Sequence, residues 1–176
     1  MKLVKTKYQP KNGINIMLKD TRLLYAVTRA GGVPAYGKTS EDGLEDHQWK
    51  VTCEVTKEVG KELQKHHKTL KPKKFTGKEF VEKFETPPLE VNDKDSYFTV
   101  TFKKSCAYLG RDGSVQPKSL TVLTKTPGED MTGVMIGNQS IGNVLIHIGK
   151  YDNQFGSGTS MRLEKLQVTT LVEYIP

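Results

Sequence analysis

The C-terminal third of the sequence is built from glycine-rich turns and long alternating runs. A polar turn at 136–140 leads into an alternating segment at 141–151, and a second turn at 156–158 leads into a long segment at 161–174. Alternation with period two is the pattern of a strand that buries one face. One face of the first segment is predicted to carry Val144, Ile146 and Ile148, and the other Asn143, Leu145, His147 and Tyr151.

Further strands are predicted upstream, and the last strand is predicted to contain a β-bulge. The bulge follows from Leu163 and Leu166, whose spacing breaks strict alternation. The upstream strands are at residues 22–29, extended back to 14 through a kink near Asp20, and at 49–56, 97–104 and 120–123. In the strand at 97–104, the pattern places Phe98, Val100 and Phe102 in the core and Tyr97, Thr99, Thr101 and Lys103 outside.

Over residues 57–85 the spacing of apolar residues changes from the period of a strand to that of a helix. This change predicts two short helices between strands. Val59 and Leu63 have helical spacing among lysines and glutamates in a first helix over 57–70. Thr76 and Glu79 match a capping box at the start of a second helix.

These elements predict a mainly β protein, α+β by content, with one domain spanning residues 1–176. Several short strands in sequence, with helices inserted at about 57–85, are typical of a small barrel. The OB-fold is the best candidate, because it is a five-stranded, partly open Greek-key barrel.

The chain is basic, with 27 Lys and Arg against 20 Asp and Glu and a net charge of +7. Basic residues exceed acids most clearly in 1–30, 57–83 and 103–125, whereas acids gather in 41–46 and 85–95. A regional excess suits a polyanion, because neutralised phosphates release condensed counterions. A solubilising lysine surface is the alternative interpretation.

The two cysteines, Cys53 and Cys106, are predicted to be buried thiols in a reducing cytoplasm. The sequence shows no pattern of a secretory leader and no apolar run near the ~20 residues that cross a bilayer. We therefore expect no membrane contact.

Motifs for catalysis, cofactors and metals all fail on inspection. Residues 128–133 have the glycine spacing of a P-loop but lack the lysine and hydroxyl that must follow. Residues 156–158 start like a dinucleotide fingerprint, without its third glycine. Adjacent His66 and His67 point about 100° apart on a helix, so they cannot chelate one ion. We expect no enzyme activity, no cofactor and no metal.

With those motifs excluded, the remaining candidates for a functional site are aromatic residues interleaved with basic ones. Single-strand binders combine a basic groove with exposed rings, on which each stacked base contributes about 1–3 kcal/mol with little sequence preference. Trp49 shares a face with apolar neighbours, so core and stacking roles both stay open. Lys103 is favoured over Lys104, because alternation points Lys103 outward beside Tyr97. The candidate nucleic-acid-binding residues are Arg22, Tyr36, Lys38, Trp49, Lys50, Tyr97, Lys103, Lys104, Tyr108, Arg111, Lys150, Tyr151, Phe155 and Arg162.

These motifs resemble those of the single-stranded DNA-binding proteins of tailed phages, over about residues 22–174. In that family an IGNGS-like turn precedes an OB-fold strand. Here residues 136–140 read IGNQS, with Gln139 where the family commonly has glycine. The closing strand at 165–172 is similar to the family pattern L-x-x-V-Q-V-x-x-L. The turn at 32–36, the inserted helix and the Pro87-Pro88 pair also fit.

The resemblance implies a sequence-tolerant protein without enzyme activity that coats and protects single-stranded DNA in phage replication, recombination and repair. The implied partners are single-stranded DNA, RNA more weakly, phage replication proteins such as a polymerase or helicase, and a second copy in a homodimer. The implied location is the host-cell cytoplasm. The alternative is a structural or assembly β-barrel that binds other phage proteins, which accounts poorly for the basic excess.

Overall fold

The computed structural model describes residues 1–131 and 133–174. The fold is mainly β, with two short α-helices that lie where the sequence predicted them. In order, the described chain runs through β1 (Lys2–Lys5), β2 (Gly13–Val27), β3 (Val33–Pro34), a 3₁₀ turn (Leu44–Asp46), β4 (His47–Val55), α1 (Lys57–His66), β5 (Lys73–Phe75), α2 (Gly77–Phe84), β6 (Tyr97–Ser105), β7 (Ala107–Leu109), β8 (Val115–Pro117), β9 (Thr121–Leu123), β10 (Ser140–Asn153) and β11 (Gly156–Thr170).

One large sheet contains the long strands, in the order β5-β6-β4-β2-β10-β11-β9, with β1 paired to β2 and β3 to β4. Its ladders are antiparallel, apart from the parallel pair of β11 and β9. Because antiparallel neighbours alternate in direction, β6 and β11 run the same way, and their Cα atoms approach within 8 Å. Within the described residues no ladder joins β6 to β11, so the long strands follow an open path.

β2 bends at Asp20, where the sequence predicted a kink. Asp20 has a left-handed φ of 53°, and its backbone N–H donates to Asn143 Oδ1 over 3.0 Å. Before the bend β2 pairs with β1 and β10, and after it β2 also pairs with β4. The bend therefore allows one strand to join both halves of the sheet.

β10 and β11 form a long hairpin whose register shifts beside Glu164. Leu145 lies opposite Lys165 and Ile146 opposite Leu163, so Glu164 has no cross-strand partner in the described ladder. The predicted bulge is confirmed, and such a bulge bends the strand and re-aims its side chains. The strand covers Gly156–Thr170 rather than the predicted 161–174.

The main core lies on the inner face of the long strands. Val144, Ile146 and Ile148 are buried there, as the alternation of β10 predicted. Trp49 belongs to the same cluster at 6% exposure, and its Nε1–H donates to the Arg29 carbonyl over 2.9 Å. The predicted stacking role of Trp49 is therefore wrong, because its ring is enclosed by the core and its one donor is bonded.

α1 begins after Thr56, whose hydroxyl accepts a hydrogen bond from the Val59 N–H. Val59 and Leu63 pack into the main core. The helix ends at His66 rather than at residue 70, because the next residue, His67, is extended with a φ of −139°.

α2 begins with the predicted capping box. The Thr76 hydroxyl accepts from the Glu79 N–H, and the Glu79 carboxylate accepts from the Thr76 N–H. The buried side of α2 forms a second, small core against the outer face of the sheet. The members of this core are Leu24, Phe75, Phe80, Phe84 and Tyr97. The prediction of Tyr97 as an outward stacking ring is therefore wrong, because α2 covers that face.

Arg22 is buried under the segment that follows α2. Its guanidinium donates to the Thr86 hydroxyl over 2.9 Å and to the Pro87 carbonyl over 2.7 Å. Its Nε lies 3.5 Å from Glu54 Oε2, and Glu54 accepts from the Leu89 N–H over 2.8 Å. The prediction that Arg22 contacts nucleic acid is wrong, because its donors hold the 86–89 segment on the sheet.

The turn at 136–140 joins three parts of the chain. Asn138 Oδ1 accepts from the Tyr25 N–H over 2.7 Å, and Asn138 Nδ2 donates to the Phe84 carbonyl over 3.3 Å. The Gly137 N–H donates to the Val172 carbonyl over 2.7 Å. The turn therefore fixes β2, α2 and the C-terminal segment relative to one another.

Candidate nucleic-acid interface

Where β6 approaches β11, the charges of Lys118, Arg162 and Lys165 act on Lys104, and we call these four residues the seam cluster. Lys104 lies opposite Trp49 near the end of β6 and is half-buried. Burial lowers the pKa of Lys104, and the charges of the other three members lower it further. A site in which cations repel one another and lose hydration suits a phosphate backbone, because phosphate supplies the missing negative charge.

The Glu164 carboxylate, at the bulge in β11, acts on this cluster. Glu164 Oε2 lies 3.1 Å from Arg162 Nε, and the charge of Glu164 raises the pKa of Lys104. His147, on β10, lies opposite Arg162, and its Nδ1 is hydrogen-bonded to Asn15 Oδ1 over 2.8 Å. Burial and then Arg162 lower the pKa of His147, while Glu164 opposes them. Arg162, Glu164 and His147 are therefore electrostatically coupled.

A second basic pair lies on the outer face of β4 and β6. Lys50 is directly opposite Lys103, and the neighbouring Thr52 and Thr101 hydroxyls are 2.8 Å apart. Lys103 is exposed, as predicted, while Lys104 points to the core side. Like charges directly opposite each other destabilise a sheet. An anion between Lys50 and Lys103 would remove that repulsion.

Exposed aromatic rings lie on loops and short strands around the large sheet. Tyr36 is fully exposed in the loop before β4, and Phe155 is 89% exposed in the turn between β10 and β11. Tyr108 stands on β7, in a hairpin with β8 that the sequence did not predict, although it predicted the turn that contains Arg111. The Lys118 ammonium lies 5.6 Å from the centre of the Tyr108 ring. Tyr108 is thus the exposed ring that adjoins the seam cluster.

Three predicted residues lie elsewhere. Lys38 Nζ is 3.4 Å from Asp46 Oδ1, so its charge is partly neutralised. Tyr151 is half-exposed opposite Gly158, where a β-carbon would come within 2.7 Å of the tyrosine hydroxyl. Lys150 lines a cavity of about 370 Å³ between β1, α1 and β10, whose other basic lining residues are Lys5, Lys65 and His66.

The sequence reasoning missed Lys118, Lys165, His147 and Glu164 as site residues. Lys118 lies in the segment 103–125, where basic residues exceed acids. Lys165 lies in the closing-strand segment 165–172 that resembles the family pattern. These residues come close to Lys104 only because β6 approaches β11 in space, and no short sequence pattern predicts that approach.

In the part of the chain that the structure describes, no group of three or more His, Cys, Asp or Glu residues could hold a metal ion. Cys53 and Cys106 are buried thiols, as predicted, and burial raises the pKa of each. Neither described α-helix is long and apolar enough to cross a membrane.

Comparison with known proteins gives structural likeness without sequence matches. The sequence matches no protein-family model and no curated protein. The single-stranded DNA-binding protein gp2.5 of bacteriophage T7 is similar in structure, with a TM-score of 0.50 and 20% identity over 90% of this chain and 93% of that chain.

Two structures of the single-stranded DNA-binding protein of bacteriophage Enc34 also match. The C-terminal truncation has a TM-score of 0.47 and 15% identity, over 99% of this chain and 98% of that chain. The complex with single-stranded DNA has a TM-score of 0.46 and 13% identity, over 99% of each chain. The predicted resemblance to phage single-stranded DNA-binding proteins is confirmed at the level of the fold by the likeness to the T7 protein.

Proposed function

We propose that this protein binds single-stranded DNA with little sequence preference, as one non-enzymatic domain built on a five-stranded OB-fold barrel. The observation that carries the proposal is the seam cluster, in which cations from β11 and the chain after β8 act on Lys104 of β6, while Glu164 pairs with Arg162 and acts on Lys104. The fold that the chain shares with T7 gp2.5 supports it.

In the proposed complex, phosphates contact the seam cluster on one side of β6 and the pair Lys50 and Lys103 on the other. Bases stack on the exposed rings around the sheet, which every base can do because each offers a π-face. These rings are Tyr36, Tyr108, Tyr151 and Phe155, and Lys38, Arg111 and Lys150 add positive charge beside them.

The proposed biological role is to coat and protect single strands in phage replication, recombination and repair, in the host-cell cytoplasm. Phage replication proteins such as a polymerase or helicase, a second copy of the chain and, more weakly, RNA are the further partners that we propose.

Fluorescence titration with oligo-dT over a range of salt concentrations tests the function. We expect the logarithm of the affinity to fall linearly with the logarithm of salt concentration, by about 0.7 for each phosphate contacted. Lys50→Ala/Lys103→Ala should weaken binding and flatten this slope. The matched control is Lys78→Ala/Lys83→Ala, which removes the same charge from exposed positions on α2. A salt-independent affinity would contradict the proposal, as would equal losses in the two variants.

A groove on another part of the surface favours a second candidate, an assembly protein that binds other phage proteins. Its volume is about 530 Å³, and it lies between β2, the turn at 136–140 and the C-terminal segment. Val134, Met135 and Tyr174 are exposed in it, as is common at protein contacts. No gel shift of oligo-dT at low salt would favour this candidate over DNA binding.

A further inference from the structure

We infer that Glu164 is a built-in counter-ion that competes with DNA phosphates for Arg162 and thereby sets the affinity and salt dependence of the seam cluster. This inference rests on the proposed DNA binding and concerns the regulation of that same site.

Arg162 and Glu164 are two positions apart on β11 and share one face of the strand, and the β-bulge turns Lys165 to that face as well, away from the buried Leu163 and Leu166. Arg162 lies opposite His147 and Lys165 opposite Leu145, and Glu164 is the extra residue between the two registers. The Glu164 carboxylate is 3.1 Å from Arg162 Nε and acts electrostatically on Lys104 and His147 as well. A carboxylate that pairs with Arg162 and acts on Lys104 offsets positive charge that a phosphate would otherwise offset.

The pair is built so that Arg162 can exchange partners. The Arg162 side chain is 49% exposed and that of Glu164 28% exposed. An ion pair that exposed has little net stability, because water and salt screen it. Arg162 can therefore turn from Glu164 to a phosphate at small cost, whereas Glu164 stays in place and repels the incoming backbone.

Glu164→Gln removes the charge and keeps the shape, so it isolates this competition. We expect oligo-dT to bind the variant about two- to fivefold more tightly than the wild type. The salt slope should steepen by up to about 0.7, because Arg162 then has no internal counter-ion. The matched control is Glu82→Gln, which removes the same charge from another surface ion pair, Lys78–Glu82 at 3.9 Å on α2. This control should leave the affinity nearly unchanged.

NMR of the arginine Nε–H groups gives a second readout. Oligo-dT should shift the Arg162 Nε–H resonance in the wild type, and in the DNA-bound state Glu164→Gln should leave that resonance nearly where the wild type has it. Affinity equal to or below wild type in Glu164→Gln, with binding still weakened by Arg162→Ala, would overturn the inference and leave DNA binding standing. Absence of oligo-dT binding by the wild type at low salt would overturn both.

Discussion

Among the residues that the structure describes, two Arg–Glu pairs of the same chemistry lie in opposite surroundings. Arg22 and Glu54 are 5% and 11% exposed and lie 3.5 Å apart beneath the segment after α2. Arg162 and Glu164 are 49% and 28% exposed and lie 3.1 Å apart at the seam of β6 and β11. The buried pair has further hydrogen-bond partners in Thr86, Pro87 and Leu89, so each ion is held by more than its opposite charge.

The two pairs differ in burial and not in charge or residue type, so burial decides which arginine is available to a ligand. Both arginines were candidate DNA contacts in the sequence. A buried ion that loses its partner stays desolvated, which makes the pair structural. An exposed ion that loses its partner is hydrated again, which leaves it open to exchange.

The largest expected effect is on stability. Arg22→Ala should lower the free energy of unfolding by about 3–5 kcal/mol, because it leaves Glu54 buried without its cation. The same change at Arg162 should cost less than about 1 kcal/mol. Urea denaturation measures both, and equal losses would erase the distinction between the two pairs.

For DNA binding, we expect the exposed pair to matter more than the buried pair. Arg162→Ala should weaken oligo-dT binding about tenfold, because hydrogen bonds from a charged group contribute about 1.5–3 kcal/mol. Glu54→Gln keeps Arg22 enclosed and should leave the affinity unchanged. Fluorescence titration of both variants checks this, and a loss in Glu54→Gln as large as in Arg162→Ala would contradict it.

The pH dependence of stability should identify the buried pair. Burial raises the pKa of Glu54, despite the hydrogen bond from Leu89 and the charge of Arg22. When the folded pKa exceeds the unfolded one, the folded state binds more protons between the two values, and stability falls as pH rises through that interval. The wild type should therefore lose stability relative to Glu54→Gln as pH rises from about 4.3 through the raised pKa. Urea denaturation at several pH values measures the difference, and a pH-independent difference would count against a desolvated Glu54.

The smallest effect concerns His147. Because Arg162 lowers its pKa and Glu164 raises it, Arg162→Ala should move that pKa up and Glu164→Gln should move it down. NMR titration of the ring protons measures both shifts.

The wild-type pKa of His147 lies below the unfolded value of about 6.5, so the contribution of His147 to stability is present above pH 6.5 and is lost as pH falls. If both variants moved the pKa of His147 in the same direction, Arg162 and Glu164 would not act on it with opposite sign as described.

Local patterns predicted much of the fold. The alternation of Val144, Ile146 and Ile148 predicted the core face of β10, and the spacing of Leu163 and Leu166 predicted the bulge. The capping box at Thr76 predicted the start of α2. Each signal depends on neighbours a few residues apart, so hydrogen bonding and side-chain direction decide it locally.

Long-range packing accounts for the errors. Alternation correctly placed Tyr97 on the face of β6 away from the main core, but it could not show that α2 covers that face. Arg22 is likewise covered by the segment after α2. Lys104 and Arg162 were identified singly, but Lys118 and Lys165 join them only because β6 and β11 approach in space.

The turn at 136–140 has a consequence for the order of folding. Asn138 hydrogen-bonds to Tyr25 and Phe84, which are 113 and 54 positions away in the chain, whereas the β10–β11 hairpin closes through a short turn. Contacts between distant positions wait for the intervening chain to be ordered, because closing a long loop costs more entropy than closing a short one. We therefore expect the hairpin to form early and the Asn138 hydrogen bonds to be among the last native interactions completed.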